Sequence, residues 1–260
     1  MTTVFYAFRD APARRRALQA APGAAERYVL YGLDQLRERG FTVRHNLEHT
    51  GRPPRWATLG GGALKVALER AGGYGGDFAT VLRSLRAANR ADVVLSTVDT
   101  VGIPLVLLKL AGRIRPPLVY VAIGLPERLQ RLRSERMREL YAAALASCAA
   151  VLAYSEYEAD ELRSWLESYG RRPRVVFVPF GVDASALTPS EEPVVDDVVS
   201  VGADPHRDFD LLAAVAARMP AVSFRMRWPK RRSISSYAVY ISPRKYCGRK
   251  IVEITIRASR

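Results

Sequence analysis

Residues 149–178 read AAVLAYSEYEADELRSWLESYGRRPRVVFV, and this stretch decides the fold class. It opens on an apolar run at 149–154, too uniformly apolar to keep one face in water, as in a parallel strand covered on both sides. Ala159, Leu162, Leu166 and Tyr169 then recur at the spacing of one helix face. A second apolar run follows at 174–178. Strand, helix and strand in that order are the building unit of a parallel sheet.

The same alternation extends in both directions. Further strand-like runs occur at 4–8, 41–44, 92–96, 118–123, 198–201 and 222–224. A helix is predicted over 24–39, with Val29, Leu33 and Leu36 as its apolar stripe and Gly40 as its stop. Another is predicted over 207–218, carrying Leu211, Leu212, Val215 and Ala216. The expectation is an α/β protein with a doubly wound parallel sheet, whose ligands bind beyond the carboxyl ends of the strands. Its domains are read as 1–183, a start of a second α/β domain at 184–225, and a basic tail at 226–260.

The chain of 260 residues is 48% hydrophobic, enough for a sizeable core. No apolar run reaches the roughly 20 residues of a membrane span; the best candidate, 101–111, contains Pro104 and Lys109. The N-terminus enters a strand pattern directly, without the basic start of a signal peptide. Cys148 and Cys247 form neither a disulfide framework nor a zinc spacing. A cytoplasmic protein is expected, at most touching the inner face of the membrane.

The net charge of +14 is unevenly spread. Residues 226–260 hold ten Lys/Arg and one acid, Glu253, whereas residues 1–225 hold thirty Lys/Arg against twenty-five acids. The tail also has five isoleucines in 35 residues, against three in the preceding 225. This shift suggests a change of reading frame or a junction at 224–228; an uninterrupted frame across codons 220–260 in close relatives would exclude it. The rival reading is a basic arm for nucleic acid or acidic lipid. Residues 251–256 have the composition of a strand.

Several chemistries lack their motifs. Gly73-Tyr74-Gly75 begins a dinucleotide fingerprint, but Phe78 occupies the place of its third glycine. There is no phosphate loop ending in Gly-Lys-Ser/Thr and no Gly-x-Ser-x-Gly elbow. His45, His49 and His206 are not spaced as metal ligands; His45 and His49 follow a strand and read as surface loop residues. Asp208-Phe209-Asp210 heads a predicted helix, where acids favour the positive dipole end. No metal site is expected.

Two segments remain. Residues 174–183, RVVFVPFGVD, are a strand ending at Pro179 with a turn at Gly181. Residues 198–212, VVSVGADPHRDFDLL, are a strand, a loop begun by Gly202 and a helix. Gly202 permits close backbone approach, the helix start offers free N–H groups and Arg207 offers a fork of donors, a set suited to a diphosphate. An ordinary βα turn with a solvent-facing arginine would read the same way.

In order and spacing, the two segments resemble glycosyltransferase family 4. Residues 153–156 before a helix, and the Leu-Arg-Glu-Arg-Gly ending at Gly40, are similar to further family features. The resemblance covers about residues 1–225 and implies a retaining enzyme of the GT-B fold with two Rossmann-like domains. Its donor would be a nucleotide sugar and its acceptor a glycan or a lipid-linked acceptor, with no cofactor, no essential metal and no nucleic-acid partner. It also implies that Gly202 lies beside the diphosphate and that Arg207, matching the lysine of an Arg/Lys pair, is the catalytic cation. Ala203 stands where many members have the arginine of that pair. The strand end at 121–126 lacks the family's histidine, and no room remains for its downstream glutamates. Such a chain is expected to be truncated and inactive or nearly so. Other readings are another GT-B enzyme, or a non-enzymatic Rossmann-like domain with a nucleic-acid-binding tail.

On the acceptor side the resemblance and the sheet-edge rule single out Arg9, Asp10 and Gly124. The segment after Gly124 carries Arg128, Arg131, Arg133, Arg136 and Arg138, interleaved with Glu127, Glu135 and Glu139. That pattern favours a solvated helix face over an anion or membrane contact. Gly60 to Gly62 and the glycines of 72–76 read as a mobile loop near the acceptor or as plain connectors.

Overall fold

The computed structural model describes residues 1–49, 51–181, 197–200, 208–219, 222–227, 240–242, 245–246, 249–250 and 253–256. They fall into two compact units, Met1–Thr188 and Pro189–Arg260.

The first unit runs β1 (Thr3–Ala7), α1 (Pro12–Gln19), a 3-10 helix (Ala25–Leu30), α2 (Leu33–Glu38) and β2 (Thr42–His45), then a short 3-10 turn. It continues with α3 (Arg55–Arg70), α4 (Phe78–Ala88), β3 (Val93–Ser96), α5 (Asp99–Leu110), β4 (Leu118–Val121) and α6 (Leu125–Gln130). It ends with α7 (Glu135–Ala146), β5 (Ala150–Ala153), α8 (Glu156–Ser168) and β6 (Val175–Phe177). The six strands form one parallel sheet in the order β2-β1-β3-β4-β5-β6. This is a Rossmann-like α/β fold.

The uniform apolarity of the strands follows from burial on two sides. Alternate residues of β1 enter different cores: Phe5 and Ala7 join one with α4, α5, α7 and α8, while Val4 and Tyr6, with Phe8 just beyond the strand, join another with Ala17, Leu30 and Leu33. The βαβ unit read from 149–178 forms as predicted. Ser155 Oγ caps α8 by accepting the Glu158 N–H at 3.1 Å, and Glu156 and Glu158 lie at the positive end of its dipole.

Two expectations are corrected. The helix predicted over 24–39 is broken, because Tyr31 and Gly32 adopt left-handed backbone (φ 50° and 78°). The Tyr31 carbonyl is diverted from the helical ladder to accept the buried Tyr6 hydroxyl at 3.0 Å. Gly60 to Gly62 are neither loop nor connector but the middle of α3. A Cβ on Gly61 would lie 2.6 Å from the Ala79 backbone nitrogen, so this glycine lets α3 and α4 cross in backbone contact. The segment 72–76 is anchored: the Tyr141 hydroxyl accepts the Tyr74 N–H at 2.8 Å and donates to the Tyr74 carbonyl at 2.6 Å.

In the second unit, β7 (Asp197–Ser200), α9 (Phe209–Arg218) and β8 (Ser223–Arg227) form one βαβ unit, with β7 and β8 parallel. Asp208 caps α9, its Oδ1 accepting the Leu211 N–H at 2.8 Å, which is the structural role expected of that acid. The basic segment supplies β9 (Tyr240–Ser242), β10 (Lys245–Tyr246), β11 (Arg249–Lys250) and β12 (Glu253–Ile256). Strand β12 pairs antiparallel with both β8 and β9, and β10 with β11.

The crossing of α3 and α4 makes a sharp prediction. Gly61→Ala should lower stability by about 1–3 kcal/mol through overpacking. Gly62→Ala, where a Cβ meets nothing within 4 Å, should raise it by up to about 1 kcal/mol through helix propensity. Urea unfolding midpoints of the two variants would check the contrast.

Candidate functional site

The strand order reverses between β1 and β3: the chain leaves β1 for β2 on one side, and every later strand is added on the other. Loops at such a switch point diverge and open a crevice at the carboxyl ends. Its floor is fixed by short polar bonds. The Asn46 side chain accepts the Phe8 N–H and donates to the Phe8 carbonyl, both at 2.8 Å. Thr97 donates its N–H and its hydroxyl to the Ala7 carbonyl, at 3.3 and 3.2 Å.

Arg9 and Asp10 follow this floor and are exposed. Asp10 forms a two-pronged pair with Arg15 (2.8 and 2.7 Å), and that guanidinium holds its carboxyl below the usual range. The Arg9 carbonyl accepts from Arg14, whose guanidinium stacks near the Phe8 and Tyr31 rings. His45, read from sequence as a surface loop residue, is instead buried at the end of β2, edge-on to Phe8. Burial pushes its pKa down, which favours the neutral ring.

The densest polar cluster lies one strand further along. Asp99, the first residue of α5, is 3% exposed. Its Oδ1 accepts the Tyr120 hydroxyl at 2.6 Å and the Ile123 N–H at 3.3 Å, and its Oδ2 accepts Arg128 Nε at 2.7 Å. Burial raises the Asp99 pKa, and these three donors oppose the rise without cancelling it. Tyr120 reaches Asp99 because residue 102 is glycine: a Cβ there would fall 2.2 Å from the Tyr120 ring.

Arg128 extends outward from Asp99. Its guanidinium lies 4.7 Å above the Tyr74 ring, and its side chain is 44% exposed. Nε is committed to Asp99, while Nη1 and Nη2 bond none of the described residues. Beside it, the Gly124 N–H donates to Glu158 Oε1 at 2.9 Å. The loop after β4 is thus held on one side by Asp99, following β3, and on the other by Glu158, following β5. Next to Tyr74, a cleft of about 370 Å³ is lined by Thr58, Lys65 and Glu69 of α3 together with Asp77 and Thr100.

Arg9 and Asp10 therefore sit at the end of β1 and Gly124 beyond the end of β4, with β3 between them. No hydrogen bond or ion pair among the described residues joins the two places. The arginine-rich segment is two helices, α6 and α7. Arg131 and Arg138 behave as expected, 3.7 Å from Glu127 and 3.3 Å from Glu135. Arg128 departs from that reading because a buried acid holds it. Asp99 and Tyr120 escaped the sequence reading; the available signal was an acid three residues beyond the end of strand 93–96, heading an otherwise apolar helix. Gly202, Ala203 and Arg207 lie outside the described residues.

Residues 25–186 match a protein family described as Glycosyltransferase Family 4. None of the curated proteins compared with the chain matches it.

The raised pKa of Asp99 has a definite consequence for stability. A carboxyl raised on folding contributes stability that is complete below its unfolded value, about 3.9, and lost as pH rises through its folded value. The stability of the wild type relative to Asp99→Asn should therefore fall as pH rises from about 4. Asp10, Asp34 and Glu48, whose arginine partners lower their pKa values, are present in both proteins and cancel. Urea midpoints across a pH series would measure the gap, and a gap independent of pH would show an unshifted carboxyl.

Proposed function

The chain belongs to glycosyltransferase family 4, and we propose on that premise that it serves transfer of a sugar, with retention, from a nucleotide-sugar donor to a glycan or lipid-linked acceptor. Met1–Thr188 forms the acceptor side. The observation that carries this reading is the arginine held at the carboxyl edge of the sheet. Arg128 is oriented by Asp99 through Nε and by the Tyr74 ring beneath it, leaving two terminal nitrogens for a ligand. A guanidinium so placed suits a sugar hydroxyl, a carboxylate or a phosphate.

Asp99 is a positioning residue in this scheme, because it is buried and reaches the ligand through Arg128. Arg9, Asp10 and Gly124 form the rest of the acceptor-side rim. The donor assignment rests on the sequence pattern of 198–212. Gly202 lets the backbone approach the diphosphate, Ala203 adds no cation, and Arg207 stabilises the charge that develops on the leaving diphosphate. Neutralisation by Arg207 takes the place of a metal. The proposed setting is the cytoplasm, beside the inner face of the membrane.

Saturation-transfer NMR of the purified chain against saccharides and polyprenyl-phosphate-linked saccharides tests the acceptor side. Binding of at least one of these classes is expected, weakened about tenfold or more by Arg128→Ala, as for loss of a charged hydrogen bond. Where transfer is detected, the anomeric configuration should be kept and Arg207→Ala should slow it by about 10²–10³. An absence of saccharide binding, with salt-sensitive nucleic-acid binding that disappears on neutralising Lys230, Arg231 and Arg232, would replace this reading with a nucleic-acid module.

A further inference from the structure

Helix α3 covers little of itself. Among its sixteen residues only Ala57 and Gly61 are buried, with Leu68 half-buried beside them. At about 100° per residue, Trp56, Leu59, Ala63 and Val66 fall on the opposite, outward arc. Trp56 is 60% exposed, Leu59 73% and Val66 44%. The outer face of a surface helix is ordinarily polar, so a contiguous apolar stripe there marks an interaction surface.

The border of the stripe is basic. Arg55 and Arg70 share its arc at the two ends of the helix, Arg52 precedes it, and all three are exposed. Glu69, the only acid in α3, lies on a different flank, 3.9 Å from Lys65 Nζ. An apolar stripe bearing an indole and fringed by arginines has the chemistry of a helix lying in the plane of a charged membrane surface.

We propose that the outward face of α3 docks on an anionic lipid bilayer. Trp56, Leu59 and Val66 enter the boundary between headgroups and acyl chains, and Arg52, Arg55 and Arg70 meet lipid phosphates. A second copy of the chain is the rival occupant, but pairing two such stripes would bring their arginines together, which like charge opposes. The inference stands on exposure and charge and does not rest on sugar transfer. It assigns membrane contact to α3 and not to the arginines of 128–138, of which Arg128, Arg131 and Arg138 lie against acids. The flank of α3 carrying Thr58, Lys65 and Glu69 lines the cleft beside Tyr74, so docking would bring that cleft close to the headgroups.

The test uses the full chain with Trp165→Phe and Trp228→Phe, which leaves Trp56 as the sole tryptophan. Its emission is followed during titration with phosphatidylcholine vesicles with and without phosphatidylglycerol. A blue shift and quenching by brominated lipid are expected with the anionic vesicles and much less with the neutral ones. Leu59→Glu with Val66→Glu, both at exposed positions, should lower the partition coefficient by about tenfold or more. Failure to bind vesicles would overturn the proposal. So would co-sedimentation with unshifted Trp56 emission, which would place attachment in the basic segment 226–260. A blue shift that grows with protein concentration in the absence of lipid would overturn it in favour of a second copy.

Discussion

A parallel sheet buried on both faces leaves nowhere for polar chemistry except the ends of its strands. Within this sheet even the alternate side chains of β1 are divided between two apolar cores. Ionisable groups that must stay near the sheet are driven to its carboxyl edge, where loops supply donors and water has access. The placement of Asp99, Asn46, Thr97 and Arg128 follows from that constraint.

Asp99 shows how the constraint is met energetically. Burying an isolated carboxylate costs several kcal/mol even after relaxation. Here a tyrosine hydroxyl, a backbone N–H and a guanidinium share the charge, yet desolvation still outweighs them in direction. The arrangement is useful structurally. One carboxylate ties the loop after β3 to the loop after β4 and aims an arginine outward across an aromatic ring. Gly102 is part of the same device, because any side chain there would expel Tyr120.

Helix α3 presents the opposite case, in which apolar groups face solvent and the backbone does the packing. Its closest approach to α4 is at Gly61, and its buried residues, Ala57 and Gly61, are too small to bury much area. Leu68 packs on the core, and Trp56, Leu59 and Val66 are left exposed. Of the three glycines that read as a loop or connector, Gly61 is the one that allows the helix to lie so close to its neighbour.

The alternation of apolar runs with helical spacing determined the fold class by itself, because strand and helix periodicity are local properties of the chain. The 149–178 unit was legible in that way, and the resemblance of 174–183 and 198–212 to glycosyltransferase family 4 pointed to the family to which the chain belongs. Helix continuity through Tyr31, the burial of His45 and the helical state of Gly60 to Gly62 were decided by partners distant in sequence: Tyr6, Phe8 and Ala79. The site was legible in its location and not in its members. Strand order alone places Arg9, Asp10 and Gly124 at the carboxyl edge, whereas Asp99, Tyr120 and Arg128 become a cluster only when the βα turn after β3 is brought beside β4 and the turn that follows it. Their coupling is a matter of ångström distances across the sheet, and no periodicity along a single chain records it.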